Sequence, residues 1–259
     1  MHKRCWSVCA GLCGLATLVV AAIPGTAQTQ EIKAKPALYS YVANWQFPRA
    51  NWPDAVKALE PVNDVMQKAQ ANGDIVAYGS DVNLVHQPDA ETHDNWWSSI
   101  TLAGLIKTLN QLHASGDAAS PTMNAAKHWD EVYVSHYYNW KAGSVKGGYT
   151  HISVYKLKAD APDDALENIG GHMVAPLLEK LLADGTIAEY EIDEMAIHTQ
   201  APGTFIIVYI TPTPEGLDTV QSAVREALKA SPLNGQAFGA VVDDSGHRDG
   251  LYKTDCNYE

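Results

Sequence analysis

The chain has 259 residues, 46% of them hydrophobic and 19% charged, and its 30 acidic against 18 basic side chains give a formal charge of −12. That apolar content excludes a disordered chain, and the negative charge argues against general binding to nucleic acid or anionic membrane surfaces. The length allows one or two domains with well-packed cores.

The chain opens on an export signal. Lys3 and Arg4 precede an apolar stretch from Val8 to Ile23, which Pro24 breaks and the small residues Gly25 and Ala27 follow. Cleavage is predicted after Ala27, delivering the mature protein to the periplasm or the extracellular space. The apolar run is short for a bilayer span and nothing comparable follows it, so no membrane span is expected after cleavage. Cys5, Cys9 and Cys13 depart with the signal, and Cys256 alone cannot form an internal disulfide. Asp255 and Glu259 near it disfavour a reactive thiolate. Loss of Lys3 and Arg4 leaves 16 basic residues against 30 acidic ones, a net charge of −14.

Residues 28–142 and 143–259 then read as two copies of one βαββαβ pattern. In the first, Tyr39 to Phe47 is β-rich, and a helix opens near Asn51 with Pro53 in its first turn and Asp54 at its positive end. Val56, Leu59, Val62, Val65, Met66 and Ala69 form its apolar stripe, with a kink predicted at Pro61. Strands are predicted at Ile75 to His86 and Trp96 to Leu102. A helix on Leu102, Leu105, Ile106, Leu109 and Leu112 follows and stops at Ser115-Gly116. A helical insertion at Ser120-Pro121 precedes the fourth strand, Glu131 to Tyr138, and Gly143 to Gly148 reads as a linker.

The second copy repeats the order with a strand from Thr150 to Lys158, a broken helix from Pro162 to Ala183, and strands from Ile187 to His198 and Phe205 to Ile210. Thr213-Pro214-Glu215 then caps a helix with the stripe Leu217, Val220, Val224 and Leu228, and Ala237 to Val242 is the predicted closing strand. Laid over each other at an offset of 112, Val65 to His86 and Leu177 to His198 agree at seven of 22 positions, where chance gives about one or two. Gly73 and Gly185 match, and each ends a helical pattern where a left-handed residue favours glycine. Asp81 with Asp193 and His86 with His198 match as well.

A βαββαβ unit folds as a ferredoxin-like sheet with helices on one face, so its other face needs cover. Two such units packed sheet to sheet bury both bare faces, and each large apolar side chain so buried contributes roughly 1.5–3 kcal/mol. The fold class predicted is therefore α+β, a pseudo-dimeric barrel. In element order the chain resembles the dimeric α+β barrel superfamily, which includes NIPSNAP-like, EthD-like, antibiotic-biosynthesis-monooxygenase-like and stress-response A/B barrel proteins, here fused in tandem. The resemblance implies a small-molecule cavity between the sheets, haem in some members and cofactor-free oxygenation in others. It carries over no catalytic residue.

Strand alternation then nominates a binding face. If Ile152, Val154, Ile206, Val208 and Ile210 meet the helices, Tyr41, Trp45, His151, Tyr155, Phe205 and Tyr209 line the lumen, joined by His136, and the ligand is a small apolar or aromatic molecule. His151 and His136 are the candidate acid/base groups or ligands. Alternation lets only one of Trp96 and Trp97 enter a shared pocket. The loop HQPDAETHD carries His86 and His93 among carboxylates, a composition that suits a divalent metal although its spacing matches no established motif. Asp193 and its neighbours Glu189, Glu191 and Glu194 are costly to bury, which assigns them to an exposed edge or strand end. Two readings stay open: an exported small-molecule-binding barrel, with oxygenase-like turnover either cofactor-free or haem-assisted, and a non-catalytic envelope module with a filled barrel. Neither the ligand nor the oligomeric state is legible.

Overall fold

The structure, a computed structural model, describes residues 31–116 and 120–259. The expected export signal, residues 1–27, lies outside the described residues. Eight strands close into one barrel: β1 (Leu38–Gln46), β2 (Ala77–Asn83), β3 (His93–Ser99), β4 (Lys127–Trp140), β5 (Gly143–Lys156), β6 (Glu189–Met195), β7 (Thr204–Thr211) and β8 (Arg248–Tyr258). Around the wall the order is β1-β3-β2-β8-β5-β7-β6-β4, and every neighbouring pair is antiparallel. Each half contributes four consecutive staves with its second strand at one edge and its fourth at the other. The joints β2·β8 and β4·β6 are therefore where the halves meet. Closure leaves no sheet edge unpaired.

Helices clothe the outside. Over the first half lie α1 (Trp52–Ala71), α2 (Leu102–Ser115) and the single turn α3 (Pro121–Asn124). Over the second lie α4 (Ala165–Glu167), a π-helical stretch Asn168–Val174, α5 (Ala175–Asp184), α6 (Pro214–Ala230) and α7 (Pro232–Val241). Among the described residues no helix is long and apolar enough to cross a membrane. The Thr101 side chain caps α2 by accepting from the Gly104 N–H at 3.0 Å. The predicted stripe of α1 is buried except for Val56, and the helix runs unbroken through Pro61. Gly73 and Gly185 end α1 and α5 at φ +72° and +87°, the left-handed conformation their matched positions require.

Two segments differ from expectation. Gly143 to Gly148 is the start of β5 rather than a linker, its glycines absorbed at a bulge between Lys146 and Gly148. Ala237 to Val242 falls largely within α7, and the closing strand is β8, further along. A short apolar run does not separate strand from helix, and Pro232 at the first turn starts a helix here. After α7 a short 3-10 turn, Asp244–Gly246, leads into β8.

Candidate ligand-binding site

Every second residue of each strand faces the lumen, and the facing set is unusually acidic. On β6, Glu189, Glu191 and Asp193 point in, while Tyr190 and Ile192 pack outward beneath α5. Their cross-strand partners on β7 are Ile210, Val208 and Ile206. On β2 and β3 the pairs 112 residues earlier are Ala77 with Ser98, Gly79 with Trp96, and Asp81 with Asp94. The two halves thus share one register with different contents. A Cβ on Gly79 would come within 2.5 Å of the Trp96 indole, so the ring takes the volume that the second half gives to Glu191 and Val208.

A cavity of about 430 Å³ remains, within the range of small-ligand pockets. Val42, Tyr133, Ile152, Val154, Ile206 and Val208 form its apolar lining. At the end where β4 and β8 finish, Trp96, Tyr258, Trp140 and Tyr138 pack in succession with centroids 5.8, 5.9 and 5.7 Å apart, the first pair tilted and the other two stacked. The opposite rim carries the β2–β3 loop and the β6–β7 loop, with Gln87, Pro88, Glu91 and Gln200. Glu131 accepts from the Tyr133 hydroxyl at 2.7 Å, from Asn44 Nδ2 at 3.3 Å and from Gln200 Nε2, which ties the second loop down. Glu91 does the same for the first by accepting from the Tyr252 hydroxyl.

Nine carboxyl groups line the described lumen against one cationic side chain, Arg248 at the rim. Asp81, Asp94, Glu189, Glu191 and Asp193 are between 2% and 7% exposed. Asp81 is well partnered: it accepts from Trp96 Nε1 at 3.2 Å, from Thr150 Oγ1 at 3.3 Å and from Thr254 Oγ1. Glu191 accepts from Ser40 Oγ at 3.0 Å. By contrast, both oxygens of Glu189 and one each of Asp94 and Asp193 meet no donor. Burial, opposed by the Thr254, Thr150 and Trp96 donors, lifts Asp81 to about 6, and burial opposed by Ser40 lifts Glu191 to about 7. Asp94, Glu189 and Asp193 stand well above the usual carboxylate range, first through burial and then through neighbouring negative charge. Each of these groups is harder to ionise than a solvated carboxyl, and a cation beside it would favour its ionised form.

The lumen face is the reverse of the one expected. Tyr41, Trp45, His136, His151, Tyr155, Phe205 and Tyr209 all lie outside it. Tyr41 stacks on Trp97 at 4.3 Å and Trp45 on His128 at 3.8 Å, in the core beneath α1 and α2. His151 stacks on Tyr209 at 4.9 Å, and Tyr155 packs between Phe205 and Phe238 of α7. His136 sits at the β4 bulge with its ring nitrogen 3.3 Å from the Lys35 carbonyl. The physical reason is that β5 and β7 are apolar on both faces, aliphatic inside and largely aromatic outside, so assigning their aliphatics to the helices slips them by one, and β1 was set by the same choice. Trp96 and Trp97 do divide as alternation requires, inward and outward. The acids of β6 occupy the buried interior instead of an exposed edge. The filled barrel is overturned by the cavity itself.

His86 and His93 both pack near Trp52, at 4.4 and 6.4 Å between ring centroids, and a His93 ring nitrogen lies 3.0 Å from Thr92 Oγ1. Burial and the nearby His86 push His93 down to about 4. Among the described residues no three His, Cys, Asp or Glu side chains converge to hold a metal ion, so the loop pair has no completed ligand set. The lumen lining offers a haem iron no histidine, cysteine or methionine, the Tyr133 and Tyr252 hydroxyls are engaged by Glu131 and Glu91, and the carboxyl groups would repel the propionates.

No family model matches the chain, and no curated protein does. Solved structures match over most of its length. A monooxygenase candidate from Lactobacillus acidophilus NCFM superposes with a TM-score of 0.60 at 10% identity, covering 84% of this chain and 94% of its own. The fold is similar to that of dimeric α+β barrel proteins. A second monooxygenase candidate, from Fusobacterium nucleatum subsp. nucleatum ATCC 25586, gives 0.59 at 10% identity, covering 88% of this chain and 96% of its own. A chlorite dismutase candidate gives 0.50 at 12% identity, covering 84% and 94%. At such identities the likeness concerns the fold alone.

Proposed function

We propose that the protein is an exported barrel whose lumen binds a small organic cation, its ammonium head against Glu189 and its apolar body along Val42, Ile152, Ile206 and Val208. One observation carries this reading. Glu189 is 2% exposed, faces the cavity, and has neither carboxylate oxygen partnered. A buried carboxyl left so costs several kcal/mol, whereas the isoleucines opposite show that the same wall accepts aliphatic side chains at no such cost. A cation bound in the lumen offsets that cost, and the surrounding low dielectric strengthens the pairing. Export rests on the first 27 residues, and the shared register of β2·β3 and β6·β7 at an offset of 112 supports duplication of an ancestral half.

Calorimetric titration with pentylamine tests the reading. Stoichiometric binding, weakened at least ~10-fold by Glu189→Gln and absent for the isosteric anion pentanoate, supports it. Absence of binding by every aliphatic and aromatic monoamine or diamine tried overturns it. Oxygenase-like turnover of the bound amine is a second reading, favoured by the monooxygenase names of two similar structures and by Glu191, whose pKa near neutrality suits proton exchange. Oxygen uptake dependent on both amine and protein supports it, and its absence ends it.

A further inference from the structure

We infer that the lumen is built for a molecule with two amine heads, an aliphatic diamine or longer polyamine; this rests on the cation-binding reading above and names its ligand class. The unpartnered acceptors are four in number: one oxygen of Asp94 on β3, and on β6 both oxygens of Glu189 and one of Asp193. An ammonium group has three N–H donors, so a single head cannot satisfy them.

They are also divided between two walls. Going round the barrel by the shorter way, β1 and β4 separate β3 from β6, three strand spacings of ~4.8 Å along the wall. Each wall presents buried carboxyls, Asp94 beside Asp81 on one side and Glu189 to Asp193 on the other. Between them the wall presents Val42 of β1 and the ring of Tyr133 of β4, whose hydroxyl is spent on Glu131, and these suit methylene groups rather than a polar body. A chain with an amine at each end and a saturated spacer meets all three demands: donors at both walls, apolar contact between, and charge opposite to the lining.

The test is titration calorimetry of the full chain with cadaverine and with pentylamine, its one-headed counterpart. Cadaverine is expected to bind at least ~10-fold more tightly than pentylamine. Asp94→Asn should remove that advantage, read as the ratio of the two affinities on the same variant, and its cooperative thermal unfolding should show that it is folded. Glu189→Gln should weaken both. Equal affinity for the two amines in the wild-type protein would overturn the two-headed site while leaving the cation chamber standing. An advantage for cadaverine that survives Asp94→Asn would overturn the assignment of the second head. Binding of neither would remove both readings together.

Discussion

The two faces of the barrel wall follow opposite rules. Outside, beneath the helices, Trp97 is fully buried, stacks on Tyr41 at 4.3 Å and donates its indole N–H to the Leu105 carbonyl at 3.2 Å. Inside, Glu189 is buried as deeply and has no partner at all. The outer face leaves only neutral groups such as Trp45 Nε1 and Thr211 Oγ1 without partners, whereas the inner face leaves carboxyls so, a cost that stability alone does not explain. A fold can hold such a lumen only because its core lies elsewhere, between sheet and helices.

Substitutions on the two faces should therefore act in opposite directions. Trp97→Ala is expected to lower unfolding free energy by about 3–5 kcal/mol in urea titrations, through the loss of a fully enclosed ring. A loss below ~1 kcal/mol would mean the outer face is not the stabilising one. Glu191→Gln is expected to stabilise the ligand-free protein by roughly 1–3 kcal/mol above about pH 7. The sign follows from its raised pKa: the folded state holds this proton more strongly, so the native protein loses stability as pH rises from the ordinary glutamate range through about 7. Glutamine carries no such penalty, so the difference between variant and wild type should vanish near ~pH 4. A difference that stays constant across that range would mean Glu191 is not desolvated.

The smallest effect sharpens the comparison at the outer margin. His128 lies 2.9 Å from the Asn44 carbonyl and 3.1 Å from Asp130, and stacks on Trp45 at 3.8 Å. Burial works against its charge, but Asp130 and the Asn44 carbonyl outweigh it and raise the pKa. Its stabilisation is present in full below the unfolded histidine value and is lost as pH rises through the folded one. Because the pair is partly solvated, His128→Gln should cost under ~1 kcal/mol at about pH 5 and nothing near ~pH 9, by thermal unfolding at the two values. An equal cost at both would assign the residue to packing alone.

Most of the secondary structure was legible because local chemistry determines it. Gly73 and Gly185 mark helix ends that only glycine makes easily, and Pro214 with Glu215 opens α6 where expected. The alternation of Glu189, Glu191 and Asp193 with Tyr190 and Ile192 was equally visible, yet the cost of burying carboxyls directed them outward. That cost is real, and the lumen bears it. The orientation of β5 and β7 was not legible, since aliphatic and aromatic residues alternate there and hydrophobicity does not rank one face above the other, whereas the polar Ser40 and Asn44 of β1 did mark its lumen face and were overridden by the choice made for β5. Asp94 was visible as the last residue of the acidic loop, but its place in the lumen beside Asp81 follows only from the pairing of β3 with β2. Site residues brought together by register from distant strands escape any reading of spacing along the chain.

Infrared spectroscopy of the ligand-free protein tests the account most directly, because protonated and ionised carboxyl groups absorb separately. At about pH 6, well above ordinary carboxylate pKa values, the carbonyl band of protonated carboxyl groups should persist, shrink in Glu191→Gln and disappear on unfolding. A native spectrum showing ionised carboxylates alone at that pH would contradict the desolvated acidic lumen on which the proposed ligand class depends.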